Sequence, residues 1–295
     1  MAVQDRRSLT RSTLIHRIDN VELRVRDVDD ALAFYRDVVG LVVLERDGTR
    51  AALGTPGGRP FVTVDSGGVT APADATATGL FHVAIRFPER AALGDALARL
   101  RHARYEIGAG DHLVSEALYV DDPDGNGIEL YWDRPEDRWP PPDGNMIVPM
   151  ATLPVDLVGL SDEGRGEAAI GDPAPTGTDV GHVHLQVGDI DRTTPFYVEE
   201  VGLDLIAKLG AQAAFFSSNG YHHHIGANTW RSRGGRPAPS HRAGLARVAF
   251  EVSAPDELEA LRARWRSRGR DLGGEEGRSL SVVDPDGVEL HFHAR

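Results

Sequence analysis

The feature that most constrains this chain is a duplication with a fixed spacing. Residues 27–41 read DVDDALAFYRDVVGL and residues 189–203 read DIDRTTPFYVEEVGL, so Asp189 repeats Asp27 162 positions on. The segments just before them keep the same offset, VELRV from Val21 against VHLQV from Val183. So do the Asp-Pro-Asp-Gly turns that begin at Asp122 and Asp284. One spacing shared by a strand, a helix and a turn marks a repeated unit, and a repeat decides architecture before local propensity does.

Each half divides again. His82–Phe87 (HVAIRF) and Arg247–Val252 (RVAFEV) read as first strands like those at Asn20 and His182, and a helical pattern follows each of the four. In the first unit Asp27 or Asp29 can cap the helix and Gly40 follows its end. The second helix is expected over about 88–103 and the fourth over 255–268, each with a proline near its first turn. The third holds Pro195, which is tolerable in the first turn after a cap at Asp191. Short alternating strands follow each helix, such as Arg50–Leu53 and Phe61–Asp65. The expected plan is α+β, with four βαβββ modules over 14–69, 79–134, 179–228 and 243–295. These form two domains, 14–134 and 179–295. Residues 1–13 are expected to be a disordered tail, and 135–178 a linker rich in loop formers.

Composition narrows the function. A net charge of −13 and a pI near 5.3 argue against nucleic acid and anionic membrane surfaces as partners. No apolar run approaches the roughly 20 residues that span a bilayer, and MAVQDRRSLTRST lacks the apolar core of a secretory signal, so a cytoplasmic location is expected. Zero cysteines leave only nitrogen and oxygen ligands for any metal.

The chemistry gathers in two places. In GDHLVSEALYVDDPDGNGIELYW, from Gly110 to Trp132, a Pro/Gly turn centred near Asp124 sets two strands antiparallel and puts Tyr119 opposite Glu129, with His112 upstream. The rival account places that pair on the solvated face of a hairpin. The histidines form the second concentration. His82 and His182 stand at equivalent first-strand positions, where Asn20 and Arg247 stand in the other units, and His184 shares a face with His182. Tyr221-His222-His223-His224 falls on the expected last strand of the third unit, where it serves either a site or a polar strand edge. Two imidazoles and one carboxylate on one face of a metal leave three positions free, the arrangement of non-haem Fe(II) oxygen chemistry.

The repeated first strand, the D-x-D-x4-F-Y helix and the DPDGNGIELYWDRP ending resemble the vicinal oxygen chelate superfamily of glyoxalase, bleomycin-resistance and extradiol dioxygenase proteins. GLFHVAIRFP, GHVHLQV and GYHHHIGANTW resemble its four-module, catechol 2,3-dioxygenase-like branch. The resemblance covers about 16–295. It implies modules paired into two curved mixed-sheet half-barrels, and Fe(II), or Mn(II), acting with O2 on a small aromatic diol to open its ring. In the family the ligands come from the third and fourth modules. Here Arg247 replaces the second histidine, and the fourth-module turn is shortened with Ser281 in place of the tyrosine. The second module carries the full set instead. The second and third modules are therefore expected to pair around a metal held by His82, His182 and Glu129, while the first and fourth form a cup without one. By resemblance His223, or alternatively His224, takes the diol proton, Tyr119 hydrogen-bonds the substrate oxygen, and His112 serves the oxygen-derived intermediate. His184, His224, Tyr131 and Trp230 are expected to contact substrate. A glyoxalase-type isomerase or thiol transferase and a metal-free binding protein are the alternatives. Exposed sheet edges are compatible with a homo-oligomer.

Overall fold

The computed structural model describes residues 10–144, 146–164 and 168–294. The first module contains β1 (Ile15–Arg24), α1 (Val28–Tyr35), β2 (Val42–Asp47), β3 (Arg50–Gly54) and β4 (Pro60–Asp65). The second contains β5 (Gly79–Phe87), α2 (Arg90–His102), β6 (Gly108–Asp111), β7 (Ser115–Asp121) and β8 (Gly127–Asp133). A connecting helix, α3 (Leu157–Glu163), precedes β9 (Asp179–Gln186), α4 (Ile190–Pro195), β10 (Asp204–Leu209), β11 (Ala213–Ser217) and β12 (Ile225–Asn228) of the third. The fourth contains β13 (Gly244–Val252), α5 (Pro255–Ser267), β14 (Ser279–Val283) and β15 (Glu289–Ala294). It is a strand short of the expected plan among the described residues. A lone bridge between Gly273 and Ser281 stands in the missing strand's place.

Among the described residues the strands make two mixed sheets. One runs β10-β11-β12-β9-β5-β8-β7-β6 and the other β14-β15-β13-β1-β4-β3-β2. Each is built about an antiparallel seam of two first strands, β5 with β9 and β1 with β13. The sheets thus join the second module to the third and the first to the fourth. Alternation along β5 explains its two uses. Val83, Ile85 and Phe87 face the apolar core shared with Leu93, Leu97 and Leu100 of α2, while His82 and Ala84 face the concave side.

The residues repeated at 162 positions tie the other module pairs together. The Tyr35 hydroxyl donates to Asp122 Oδ2 at 3.0 Å, and the Tyr197 hydroxyl donates to Asp284 Oδ2 at 2.8 Å. Likewise the Arg26 backbone N–H donates to Asp124 and the Gly188 N–H to Asp286, at 2.7 and 2.9 Å. Asp27 and Asp189 cap α1 and α4 through their side chains. Gly40 and Gly202 turn the chain after these helical segments at φ 95° and 96°, the left-handed region where glycine is favoured. The guanidinium of Arg99 closes the end of the first segment through the carbonyls of Val38 and Val39, and Arg264 does the same at Glu200 and Val201.

Three expectations are corrected. Asp189, not Asp191, caps α4, so Pro195 ends that helix instead of opening it. There the chain continues as a π-helical turn, Phe196–Val201, which suits a residue with no N–H to give. His222–His224 lie in a bend before β12, not in the strand, because Tyr221 and His222 turn inward to meet Asp133. The described residues of 135–178 include packed structure. Trp139 and Val148 form a small core with Val114 and Ile206, and α3 packs on α2. Residues 1–9 of the expected tail lie outside the described residues, but the N–H groups of Arg11 and Ser12 are fixed by Asp204.

The lock at Asp284 is sensitive to pH. Burial raises its pKa to about 6 from an ordinary 3.8, although the Val288 N–H and the Tyr197 hydroxyl act the other way. The folded chain therefore binds more protons than the unfolded one between those values, and stability falls as pH rises across them, by on the order of 3 kcal/mol. Asp284→Asn keeps the shape and has no proton to lose. Thermal unfolding at pH 4 and pH 7 is expected to show the variant gaining on the wild type as pH rises, and an equal difference at both would count against this account.

Candidate active site

The concave face of the β5/β9 sheet is floored by histidines because of register. His82 pairs with His184 and Ala84 with His182 across the seam, while Glu129 of β8 lies beside Ala84. The small Ala84 leaves room for the side chains around it. Tyr119 stands opposite Glu129 in β7, as the turn geometry predicts. Glu129 Oε2 lies 2.8 Å from His82 Nε2 and 3.4 Å from His182 Nε2, and all three residues are buried, at 2%, 5% and 2% exposure. One donor atom from each lies within 4.8 Å of the others.

The electrostatics suit a cation. Burial opposes ionisation of Glu129, but the facing His182 and His82 outweigh it and hold its pKa well below the carboxylate range. Burial pushes His182 down to about 4 despite Glu129, so its imidazole is neutral near pH 7. His82 Nε2 is buried without an aligned hydrogen bond. An ionised carboxylate beside two imidazoles fits a divalent metal held in two-histidine, one-carboxylate fashion.

A second group, His182, His222 and His223, is also close enough to share an ion. It fits less well, because His222 is already committed at both nitrogens. Its Nε2 lies 2.8 Å from Asp133 Oδ1 and its Nδ1 lies 2.8 Å from His223 Nδ1. A neutral His222 that donates from Nε2 to the carboxylate must accept at Nδ1. His223 then carries its proton on Nδ1, and its buried Nε2 is a bare acceptor with no partner. Burial, with His182 and His222 alongside, holds the His223 pKa well below its ordinary value.

On the other side His112 Nδ1 lies 2.8 Å from the Ala151 carbonyl, which can only accept. The Nε2 of a neutral His112 is therefore the acceptor for the Tyr119 hydroxyl at 2.6 Å. The loop that carries His112 turns through Leu113 at φ 70°, held by the Asp111 carboxylate on the Leu113 N–H and by Arg134 on Asp111. Burial and Glu129 raise the Tyr119 pKa well above its usual value, so it is a neutral phenol.

These groups open onto a cavity of about 410 Å³ lined by His82, Glu129, His182, His112, Tyr119, His184, His223 and Trp230. Two expected contacts are absent from its lining. The His224 ring is turned away, with Nδ1 against Ser217 Oγ at 3.0 Å and the Ser218 N–H at 3.3 Å. Of the two candidate bases only His223 faces the cavity. Tyr131 shares the concave face with Glu129 but fills its far end among Ala84 and Ala117, and its hydroxyl meets that of Tyr221 at 2.8 Å. A Cβ at Gly181 would lie 1.7 Å from that oxygen, which accounts for glycine there.

Other lining residues escaped sequence reasoning. Met146, Met150, Ala151 and Thr152 come from the segment read as linker, and Leu209 and Phe215 from β10 and β11. The Asp133–His222 pair was missed as well, although residue parity from Glu129 puts Asp133 on the concave face.

The model of the Glyoxalase/Bleomycin resistance protein/Dioxygenase superfamily matches residues 17–130 and 179–292. The chain belongs to this superfamily. A superfamily relative named catechol-2,3-dioxygenase, from Bacillus subtilis (strain 168), is 38% identical over 272 residues, covering 91% of this chain and 93% of its own. Among solved structures, a glyoxalase I mutant from Zea mays is similar at TM-score 0.56 and 18% identity, covering 94% of this chain and 93% of that one. The cppA protein from Streptococcus pneumoniae is similar at TM-score 0.58 and 11% identity, covering 97% and 100%. At such identities the two structures show the superfamily fold alone. No helix among the described residues is long and apolar enough to cross a membrane.

The donor set makes a direct prediction about metal content. Glu129→Gln is expected to lower metal affinity by more than the roughly 10–100-fold that loss of a supporting group costs. Glu289→Gln, in the last strand of the fourth module where His291 holds the place of Glu129, is expected to leave it unchanged. Elemental analysis after dialysis reads both, and loss of metal in the second variant would move the site.

Proposed function

We propose that this chain opens the ring of a catechol-type diol with O2, in the extradiol manner, at an Fe(II) held by His82, His182 and Glu129. The observation that carries the proposal is a two-histidine, one-carboxylate set at the floor of a cavity that also holds an uncommitted base and a phenol–imidazole pair. The relative named catechol-2,3-dioxygenase supports it. Fe(II) bound there would supply Lewis acidity and a template that brings diol and O2 together.

The chain's own residues then have distinct tasks. His223, neutral and with its Nε2 lone pair uncommitted, accepts a proton from the diol. Asp133 acts through His222 to keep that lone pair on Nε2 and the ring in place. Across the cavity Tyr119 turns its one hydroxyl proton from His112 Nε2 to the substrate oxygen. His112, anchored by the Ala151 carbonyl, holds or returns a proton as charge develops. Both atoms of O2 enter the product, a ring-opened semialdehyde acid.

The glyoxalase-type alternative ordinarily uses two carboxylates. Among the described residues that line the cavity, Glu129 is the one acid, which favours the dioxygenase.

The test uses protein loaded anaerobically with Fe(II) and then given catechol and air. One O2 is expected to be consumed per diol, with a yellow product. His223→Asn is expected to lower kcat about 10²–10⁴-fold. Asp133→Asn is expected to lower kcat about 10–100-fold with metal content retained. Thiol-adduct formation dependent on zinc or nickel, without oxygen uptake, would overturn the proposal.

A further inference from the structure

Resting on the ring-cleavage proposal for the identity of the diol, we infer that the cavity selects catechols with an uncharged alkyl or aryl substituent and excludes those with a ring-borne carboxylate. The first observation is size. A cavity of about 150 Å³ is enough to hold benzene, whereas this one is about 410 Å³, so a bare diol ring leaves most of it unfilled. The second is lining. Beyond the donor groups the wall is mostly apolar, with Val114, Met146, Met150, Leu209, Phe215 and Trp230 its large side chains and Ser115 and Thr152 its hydroxyls.

The third observation is charge. No lysine or arginine lines the cavity among the described residues, and its one acid is Glu129. Lys208, beside Leu209, lies 2.6 Å from Asp191, and Arg134 is held by Asp111 and Glu116. Arg231, beside Trp230, is exposed and outside the lining. A substituent carboxylate would give up its water here and find no countercharge, whereas an alkyl or aryl group gains from leaving water.

The mouth points the same way. Leu209 and Trp230 are 50% and 53% exposed, and both line the cavity. Large apolar side chains left open at a rim mark a surface waiting for an apolar ligand. The thioethers of Met146 and Met150, on the segment that roofs the cavity, adapt to substituents of different shape.

The test compares 4-ethylcatechol with 3,4-dihydroxyphenylacetate, which share the diol and differ in the charge of the side chain. Anaerobic calorimetric binding to the Fe(II)-loaded protein and oxygen uptake are both measured. The ethyl compound is expected to bind about tenfold or more tightly and to show a kcat/KM higher by a similar factor. Leu209→Arg, at a half-exposed rim position that tolerates charge, is expected to narrow both ratios about tenfold. Equal or tighter binding of the acid would overturn this inference while leaving ring cleavage standing if either compound consumes oxygen. Tighter binding of the ethyl compound without oxygen uptake would overturn ring cleavage and leave the selectivity. Unchanged ratios in Leu209→Arg would overturn the assignment of that wall to the substituent.

Discussion

The antiparallel seam between β5 and β9 is the constraint on which the rest of the structure depends. It brings together two strands almost a hundred residues apart and sets His82 against His184 and Ala84 against His182. Because side chains alternate, a slip of one residue would send all three histidines to the helix side and the valines of the core into the cavity. The register is enforced from both faces. Val83 and Ile85 must reach the helices, and Tyr131 can occupy the concave end only where Gly181 offers no Cβ. Glu129 joins the imidazoles through the parallel β5/β8 ladder, so the donor set arises wholly from backbone pairing.

The seam alone does not hold four modules in place. Sheets join the second module to the third and the fourth to the first, while the tyrosine–aspartate locks join the first to the second and the third to the fourth. The contacts form a closed ring in which each module is tied to two others by different means. This separates scaffold from chemistry in the sequence itself. What recurs at 162 positions (the caps at Asp27 and Asp189, Tyr35 and Tyr197, Asp122 and Asp284) is the hardware of the ring. The cavity's donors do not recur at that spacing. In the opposite sheet Glu22 is paired with Arg50 and Arg247, and Asp19 with Arg59 and His293, so its polar groups satisfy one another instead of facing a ligand.

That separation explains how much could be read from the sequence. The repeat made the module plan and the α+β class legible, because a strand, a helix and a turn kept one spacing. The convergence of His82, His182 and Glu129 was legible for a similar reason, since equivalent strand positions imply equivalent places on a sheet. Periodicity failed where the chain leaves the pattern. Tyr221 to His224 reads as the last strand of the third unit, yet His222–His224 sit in a bend whose shape depends on Tyr221 and His222 reaching Asp133 on another module. Tyr131 has the parity of Glu129, but the concave face is longer than the cavity and its far end is filled. The segment from Met146 to Leu153 has no period to detect. Its position over the cavity is set by contacts such as Ile147 with Ile206 and Leu153 with Asp111, which bind it to strands of two modules.

Folding has no reason of its own to assemble this site. His82 Nε2, His182 Nδ1, His184 Nε2 and His223 Nε2 are all buried and without hydrogen-bond partners, and they crowd one cavity. Each such group costs about 1–3 kcal/mol when left unsatisfied. Apolar residues of similar size would pack the same floor without that cost. Burial and mutual repulsion keep His182, His184 and His223 from recovering it by taking up protons, since both push their pKa values down. What results is a pocket of buried ring nitrogens around one ionised carboxylate, unfavourable for the isolated chain and favourable once a cation and a polar ligand enter. Stability is given up at the floor of the cavity. The second sheet differs, because there Arg247 stands in the place of His82 and is paired with Glu22.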